Sequence, residues 1–373
     1  YNSSAISGSN AIGKVTSSAS YTGGLIGYSN GTIATSFARG DVTSTGNGVS
    51  YTGGLVGQDT NTVSNSYATG AVLATGASSY YIGGLIGYAT GAVSDSYATG
   101  SVTGTGTSAQ YLGGLSGYAS GNVSNSYASG VVNGAGTSSY YVGGLIGSLN
   151  SATVSDSSYL LGSVSGASYV GGLIGVTNSA AVIKGSFTER PVTATMDYVG
   201  GLVGKLAGTI QASDSALGAV PVRGTKYSYA AGAVTGRYDV GGLVGRADTT
   251  ANINNAYSTG SVEADLNYGG LVGFVTPGAN VFNSHYNIDT VSITGLTPLS
   301  PDSHVAVTGL ITTGGLFGAQ YTQWFTSALD GLVASNTAQL QTYFGAPDAN
   351  GYYSLGSVQN LKDYLGYADQ ATL

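Results

Sequence analysis

One five-residue pattern, Gly-Gly-Leu-x-Gly, recurs through most of the chain and limits what it can fold into. It begins at ten glycines: Gly23, Gly53, Gly83, Gly113, Gly143, Gly171, Gly200, Gly241, Gly269 and Gly314. The steps between them are 30, 30, 30, 30, 28, 29, 41, 28 and 45 residues. A fixed period of about 20–50 residues is the signature of a solenoid, a propeller or another repeat array. We therefore expect one elongated, repetitive body.

Each regular repeat contains three strand-like segments, which are separated by Gly and by Ser or Thr. They are the Gly-Gly-Leu segment, a Val-Ser-x-Ser-Tyr-Ala segment and a short segment that begins with valine. Short strands at roughly ten-residue intervals are typical of an all-β structure. The leucine recurs in every copy, whereas the next residue varies, from Val56 to Ser116. Since successive strand residues point to opposite faces, we expect the leucine inside and its neighbour at a less buried place.

The length of the repeat decides between the candidate architectures. Propeller blades need about 40–50 residues and four strands, and a left-handed hexapeptide helix needs a six-residue apolar rhythm that this sequence lacks. We therefore predict a right-handed parallel β-helix, an all-β solenoid of about ten coils of 30 or so residues over residues 1–318. Coils stacked at about 4.8 Å would form a continuous leucine ladder.

Three stretches interrupt or follow the repeats. The 41-residue step indicates an inserted part-coil or loop at residues 217–239, and the 45-residue step indicates a long loop at residues 287–313. After Gly318 the apolar residues follow helical spacing, from Tyr321 and Trp324 to Leu332. We predict that residues 319–373 form a short C-terminal helical cap or linker that leads into a next block.

The composition argues against several classes of protein. A net charge of −7 and a pI near 4.5 argue against nucleic-acid binding, which needs a basic surface. The chain has no Cys, so it has neither a disulfide framework nor a thiolate metal site. No run approaches the ~18 apolar residues of a transmembrane helix, and we predict no transmembrane segment. Because the chain opens at Tyr1 without a signal peptide, we expect it to be part of a longer protein.

The Gly-Gly-Leu-x-Gly core, followed by Ser-Tyr-Ala-x-Gly-x-Val, resembles the GLUG repeats of large exported bacterial proteins. Such repeats occur in filamentous-haemagglutinin-like adhesins of the two-partner-secretion class and in the ectodomains of some IgA-cleaving metallopeptidases. The resemblance covers about residues 21–318. It implies the structural or adhesive shaft of a secreted bacterial surface or biofilm-matrix adhesin, which mediates cell–cell or cell–matrix attachment. It also implies an extracellular location and an outer-membrane secretion partner for the full-length parent.

We expect no enzymatic activity, no cofactor and no metal site. The two histidines, His285 and His304, have no metal-ligand partner at close spacing, and a His-Glu-x-x-His motif is absent. Asp95 and Asp156 occupy a place that holds Asn in sibling repeats, which indicates a turn or ladder position. A polysaccharide-degrading β-helix enzyme stays a third alternative, which would need two carboxylates about 5–9 Å apart across a cleft.

Aromatic residues recur at three places of the repeat. Row one is Tyr21, Tyr51, Tyr81, Tyr111, Tyr141, Tyr169 and Tyr198. Row two is Phe37, Tyr67, Tyr97, Tyr127, Tyr159, Phe187, Tyr257 and Tyr286. Row three is Tyr28, Tyr88, Tyr118 and Phe274, with Gln58 and Lys205 as substitutes. Stacked aromatic neighbours stabilise one another, so the rows are interpreted as ladders that stiffen the rod, with row two buried and row three the most exposed.

These rows leave a carbohydrate-binding module for exopolysaccharide or host glycan as the alternative function, with the rings of Tyr28, Tyr88 and Tyr118 stacking on sugars. Seven of the ten basic residues also lie between Lys184 and Arg246. Binding residues gather on loops carried by rigid scaffolds, so a second candidate site for an acidic polysaccharide or charged surface comprises Arg223, Lys226, Tyr227, Tyr229, Arg237 and Tyr238. A solvated loop balanced by Asp239 and Asp248 is the other interpretation.

Arg39, Gly40 and Asp41 spell an integrin-type tripeptide. The tripeptide lies in register with Thr69-Gly70-Ala71 of the next repeat, so ordinary drift between repeats also explains it. A recognised tripeptide of this kind needs a projecting loop, whereas this one is expected at a strand or turn of the rod.

Overall fold

The computed structural model describes residues 1–213, 227–282, 284–287, 293–295 and 313–316. These residues form a parallel β-solenoid of about nine turns of ~30 residues each, and they contain no helix. The predicted all-β parallel solenoid is therefore confirmed. The handedness of the coil stays a prediction, and the helical segment predicted at residues 319–373 lies outside the described residues.

Each coil contributes one strand to each of five parallel sheets, which we number in their order along one repeat, starting from the strand that enters the Gly-Gly-Leu segment. Sheet one contains Thr22–Gly23, Ser50–Gly53, Tyr80–Gly83, Gln110–Gly113, Tyr140–Gly143, Ser168–Gly171, Asp197–Gly200, Tyr238–Gly241 and Leu266–Gly269. Sheet two contains Ile26–Ser29, Val56–Asp59, Ile86–Ala89, Ser116–Ala119, Ile146–Leu149, Ile174–Thr177, Val203–Leu206, Val244–Ala247 and Val272–Val275.

The other three sheets complete the coil. Sheet three contains Ile6–Ser7, Ile33–Ala34, Val63–Ser64, Val93–Ser94, Val123–Ser124, Thr153–Ser155, Val182–Lys184, Thr209–Gln211, Asn252–Asn254 and Asn280–Phe282. Sheet four contains Asn10–Ala11, Phe37–Ala38, Tyr67–Ala68, Tyr97–Ala98, Tyr127–Ala128, Ser158–Tyr159, Phe187–Thr188, Ser228–Ala230, Ala256–Ser258, Ser284–Asn287 and Thr313–Leu316. Sheet five contains Val15–Ser17, Val42–Ser44, Val72–Ala74, Val102–Gly104, Val132–Gly134, Val164–Gly166, Val192–Ala194, Val234–Thr235, Val262–Ala264 and Ile293–Gly295.

Five strands form where the sequence predicts three, because two of the predicted segments bend. The Val-Ser-x-Ser-Tyr-Ala segment bends between sheets three and four at residues whose φ angles lie between 48° and 52°. They are Thr35, Asn65, Asp95, Asn125, Asp156 and Asn255. Asn and Asp enter this left-handed region more readily than other side chains do. The turn position predicted for Asp95 and Asp156 is confirmed.

The Gly-Gly-Leu segment bends at its second glycine, which lies against the next coil. A Cβ on Gly84 would stand 2.0 Å from the carbonyl oxygen of Gly114, so no larger residue fits. The chain turns there from sheet one to sheet two, and Leu85 and Ile86 both enter the core with no exposed surface. The expectation that the leucine's neighbour is less buried is wrong, since the bend removes the strand alternation at this pair.

The leucines form the predicted ladder along the axis of the solenoid. The buried members are Leu55, Leu85, Leu115, Leu145, Leu173, Leu202, Leu243 and Leu271, whereas Leu25 in the first coil is only partly buried. Their backbones hydrogen-bond from coil to coil, as from Leu55 N to the oxygen of Leu85 at 2.9 Å. Burial of one leucine side chain stabilises a protein by about 1.5–3 kcal/mol. The ladder is therefore a main source of cohesion.

Two irregular steps differ from the prediction. Ser228–Ala230 and Val234–Thr235 pair with the coils before and after them, in sheets four and five. Residues 227–239 thus belong to a regular coil, and the extra residues of the 41-residue step fall between Gln211 and Ser228. The tenth Gly-Gly-Leu lies in Thr313–Leu316, which pairs with Ser284–Asn287 in sheet four rather than continuing sheet one. It is therefore not a tenth copy of the same corner.

Candidate functional site

Row one is an unbroken stack of seven tyrosines that runs along sheet one. Neighbouring ring centroids lie between 4.7 and 5.4 Å apart. Every one of these tyrosines has a left-handed backbone, with φ from 57° to 68°, an unusual conformation for a bulky residue. Desolvation, followed by the neighbouring tyrosines, raises the pKa of Tyr81 and Tyr111. Stacking between coils therefore holds a column of strained backbones in place.

Row three runs beside row one on sheet two. Its register is Tyr28, Gln58, Tyr88, Tyr118, Ser148, Val176, Lys205, Arg246 and Phe274. Tyr88 and Tyr118 are parallel with centroids 4.5 Å apart. Tyr88 also meets Tyr81 of row one edge-on at 5.0 Å. Desolvation and the neighbouring Tyr118 raise the pKa of Tyr88 to about 12. Rows one and three together form one surface, which we name the tyrosine face.

The tyrosine face presents ring edges and hydroxyls rather than open ring faces. Tyr1 covers one face of Tyr28 at 5.0 Å, Tyr88 and Tyr118 cover each other, and in row one each ring faces the next. The members of row three are half-buried, as are those of row one apart from Tyr21, which is 47% exposed. A sugar at this surface would therefore contact phenol oxygens and ring edges more than ring faces.

Row two lies on sheet four and is divided into two parts. Phe37, Tyr67, Tyr97 and Tyr127 stack with centroids 4.9 Å apart and planes within 3° of parallel. Phe187, Tyr229 and Tyr257 form the second part, at 4.8 and 4.7 Å. The first part is half-buried, so the predicted burial of row two is wrong there, whereas Tyr229 and Tyr257 are buried.

Two predicted members of row two lie inside the solenoid instead. Tyr159 pairs with Ala128, while Ser158 takes the place in the row beside Tyr127. In the same way Tyr286 pairs with Ser258. A shift of one residue turns a side chain to the other face of a strand. The buried hydroxyl of Tyr159 donates to backbone oxygens, at 2.8 Å for Gly130.

The tyrosine face ends in a charged cluster at coils seven to nine. The guanidinium of Arg246 lies 5.6 Å from the ring centroid of Tyr198 and 4.8 Å from that of Phe274, which are cation–π distances. Its Nη1 is 3.2 Å from Oδ2 of Asp239, and its Nε is 3.5 Å from Oδ1 of Asp248. Arg246 therefore occupies the place of a row-three ring and extends the stack with a planar cation.

Asp239 takes the place of the next row-one tyrosine and keeps the left-handed backbone, at φ 52°. Its side chain is 6% exposed, and Asn267 of the following coil donates to its Oδ1 at 2.9 Å. Burial, followed by the charge of Asp239, raises the pKa of Asp197. Beside this cluster, Lys205 Nζ lies 3.0 Å from Asp248 Oδ2. One interpretation of the sequence was a solvated loop in which Asp239 and Asp248 balance the basic residues. The structure instead places both acids at the end of the tyrosine face.

The predicted basic and aromatic cluster is only partly within the described residues. Arg223 and Lys226 lie outside them. Tyr227 and Tyr229 are each 4% exposed, and the hydroxyl of Tyr229 donates to Glu189 at 3.0 Å. Arg237 is exposed, lies 4.8 Å from the ring centroid of Tyr238 and is 3.9 Å from Asp265.

Arg39, Gly40 and Asp41 form the turn between sheets four and five of the first coil. Arg39 lies 4.8 Å from the centroid of Phe37, and its Nη2 donates to the hydroxyl of Tyr67 at 3.1 Å. Asp41 accepts a hydrogen bond from the backbone of Ala71 at 2.9 Å. The tripeptide lies flat against the neighbouring coils.

Sequence reasoning missed Asp59, a carboxyl group inside the core. It lies in register with Ser29 and Ala89 and has no exposed surface. Its Oδ2 accepts from the backbone of Asn61 at 3.0 Å, while Oδ1 has no hydrogen-bond partner among the described residues. Burial raises its pKa to about 7. The sequence contained one signal of this buried acid, because the neighbouring coils have the small residues Ser29 and Ala89 at the same position.

The repeats of this chain are similar to one known sequence motif. The model of the GLUG motif matches residues 78–103, 108–133 and 236–263. The chain carries GLUG repeats. Each matched stretch begins just before a strand of sheet one and ends within the strand of sheet five of the same coil, as from Tyr80–Gly83 to Val102–Gly104. No curated protein and no solved structure matches the chain.

The GLUG motif and the β-solenoid together fit an extracellular repeat protein. Within the residues that the structure describes, no helix has the length and apolar character needed to cross a bilayer. The same residues contain no group of three or more His, Asp or Glu side chains arranged to hold a metal ion.

Proposed function

We propose that this GLUG-repeat solenoid is the structural and adhesive shaft of a secreted bacterial surface or biofilm-matrix adhesin, where it mediates cell–cell or cell–matrix attachment. The observation that carries the proposal is the unbroken register of sheets one and two over nine coils, from Thr22 to Val275. At about 4.8 Å per coil the rod is about 43 Å long.

The arrangement suits a shaft because the same contacts repeat along its length. Backbone hydrogen bonds between coils lie along the axis, and the leucine ladder and the tyrosine rows run parallel to them. The contacts between coils are mainly those of a coil with the coils next to it, so the length can change without a new kind of contact. The full-length parent would reach the cell surface through its outer-membrane secretion partner.

We also propose that the chain has no catalytic activity. Asp59 is enclosed in the core, and Asp95 and Asp156 hold left-handed turns. These acids therefore have structural positions that explain them without a reaction.

The test displays the chain on the surface of non-aggregating bacteria and measures aggregation and retention on matrix material. Deletion of residues 81–110 removes one coil and joins Tyr80 to Tyr111, so attachment should persist. Deletion of residues 81–95 removes half a coil, breaks the register and should abolish attachment. A correctly folded, displayed chain that attaches to neither cells nor matrix would refute the adhesive role.

Carbohydrate binding is the second candidate function. The observation that favours it is the half-buried array of phenol groups on the tyrosine face, next to the exposed Arg237 and the half-buried Tyr238. Phenol hydroxyls both donate and accept hydrogen bonds, as sugars do. Repeated phenols at one coil spacing would suit a polymer of repeating sugars.

A panel of exopolysaccharides and host glycans tests this function with the purified chain. The matched variants take residues that the same row already contains, namely Tyr28→Gln, Tyr88→Gln and Tyr118→Ser, because Gln58 and Ser148 occupy this place. Combined, they should abolish saturable binding at the tyrosine face. A separate Arg223→Ala, Lys226→Ala variant tests the basic cluster. Binding that both variants retain would contradict both sites.

A further inference from the structure

The first part of row two brings three tyrosines from consecutive coils into parallel stacks. The planes of Tyr67 and Tyr97 differ by 1°, and those of Tyr97 and Tyr127 by 3°. Because the rings repeat by one coil step, corresponding carbons lie about as far apart as the centroids, 4.9 Å in both pairs. We propose that Tyr67, Tyr97 and Tyr127 are a modification site, at which one-electron oxidation forms dityrosine cross-links between neighbouring coils.

The reaction requires an oxidant of the peroxidase class, a haem peroxidase with hydrogen peroxide. Two phenols each lose one electron and one proton. The two phenoxyl radicals form a carbon–carbon bond between one Cε of each ring, ortho to the oxygens. The hydrogens on those carbons move to the oxygens and restore both phenols, while the peroxide accepts two electrons and two protons and becomes two waters.

Row two favours this coupling over row one because its rings have fewer restraints. Each ring contact of Tyr97 in the described part of the chain is with Tyr67 or Tyr127. In row one, by contrast, Tyr81 is also held edge-on by Tyr88 at 5.0 Å and by Tyr118 at 5.8 Å. Half-buried rings that are held only from above and below can tilt towards each other, which coupling requires.

Arg39 decides which pair couples first. Its guanidinium donates to the hydroxyl of Tyr67 at 3.1 Å. A neighbouring positive charge opposes the removal of an electron from that ring. Tyr97 and Tyr127 are farther along the row, so the Tyr97–Tyr127 bond should form before the Tyr67–Tyr97 bond.

The bond would connect residues 30 positions apart in the chain, one full coil. A covalent link between distant positions restricts the unfolded chain in the same way as a disulfide. This chain has no cysteine, so it cannot form disulfides. Dityrosine bonds would be another way to link neighbouring coils covalently in an oxidising extracellular environment.

The experiment treats the intact, dilute chain with a haem peroxidase and limiting hydrogen peroxide. The monomer should gain dityrosine fluorescence and lose the mass of two hydrogens per bond. Elastase digestion with mass spectrometry should identify Tyr97 joined to Tyr127 first. Tyr97→Phe should abolish both row-two cross-links without unfolding the protein, since Phe37 and Phe187 occupy the same row.

Two further variants test the mechanism. Phe37→Tyr adds a phenol beside Tyr67 and should create one new cross-linked pair. Arg39→Gln should raise the share of the Tyr67–Tyr97 bond relative to the Tyr97–Tyr127 bond. Cross-links that form only between molecules, that avoid row two, or that reach the same yield in the urea-unfolded chain would overturn the proposal.

Discussion

Burial of Asp59 predicts an unusual dependence of stability on pH. In the folded chain its pKa is raised from 3.8 to about 7, mainly by desolvation, against the opposing hydrogen bond from the Asn61 backbone. Between these two values the folded state keeps a proton that the unfolded state has lost. The contribution of Asp59 to stability is therefore greatest below pH 4 or so, decreases as the pH rises to about 7 and is constant above that.

The size of the effect follows from the interval between the two pKa values. One pKa unit corresponds to about 1.4 kcal/mol, so the interval from 3.8 to about 7 amounts to about 4 kcal/mol. Asp59→Ser removes the carboxyl and installs the residue that the preceding coil has at this place, Ser29. We expect this variant to gain stability over the wild type by about 4 kcal/mol more at pH 8 than at pH 4.

Urea denaturation followed by circular dichroism at fixed ionic strength, from pH 4 to pH 8.5, measures the difference between the two proteins. The difference cancels the titration of the other acids. Asp95→Asn is the control, because Asp95 is exposed and Asn occupies the same turn in the neighbouring coils. If the stability difference between wild type and Asp59→Ser stays constant over this range, Asp59 is ionised in the folded protein and the reasoning is refuted.

Three further substitutions test other parts of the solenoid by the same denaturation assay. Leu115→Ala should cost about 2–5 kcal/mol, because it opens a cavity in the middle of the leucine ladder, and an unchanged midpoint would contradict the ladder's role. Asp239→Ala should lower the free energy of unfolding by about 2 kcal/mol. Breaking a fully buried ion pair costs about 3–5 kcal/mol, and the loss is smaller here because Arg246 is 30% exposed. Tyr111→Val should cost about 2 kcal/mol through its left-handed backbone and lost stacking, whereas Tyr111→Asn should cost less, since Asn267 adopts this conformation at the same place. Equal losses for both Tyr111 variants would contradict the backbone argument.

The repeat period predicted the solenoid and the leucine ladder because both depend on features that every coil shares. The number of strands per coil was not predictable in the same way. Asn65 lies within a segment that has the composition of a strand, and only its left-handed φ of 49° divides that segment between two sheets. Row one is similar, since tyrosine is common in strands and gives no sign of a left-handed backbone.

Features that occur once escaped the sequence-based reasoning. Tyr159 has the sequence context of row two, but the one-residue shift at Ser158 turns its side chain into the core. The tenth Gly-Gly-Leu has the right letters and still pairs in sheet four. Asp59 was missed, because the inward direction of its side chain depends on the register with Ser29 and Ala89. In each case the position was set by pairing between coils, which periodicity alone does not define.

The register of row three has a consequence for how such a surface can diversify. One backbone position carries phenol, amide, hydroxyl, aliphatic and cationic side chains in successive coils, from Tyr28 and Gln58 through Ser148 and Val176 to Arg246. The glycine and leucine positions that specify the coil tolerate no such variety. Different positions of the same repeat thus specify the fold and determine the chemistry of the surface. Substitutions at the outward-facing positions can therefore change the surface one coil at a time, while the spacing between coils stays at about 4.8 Å.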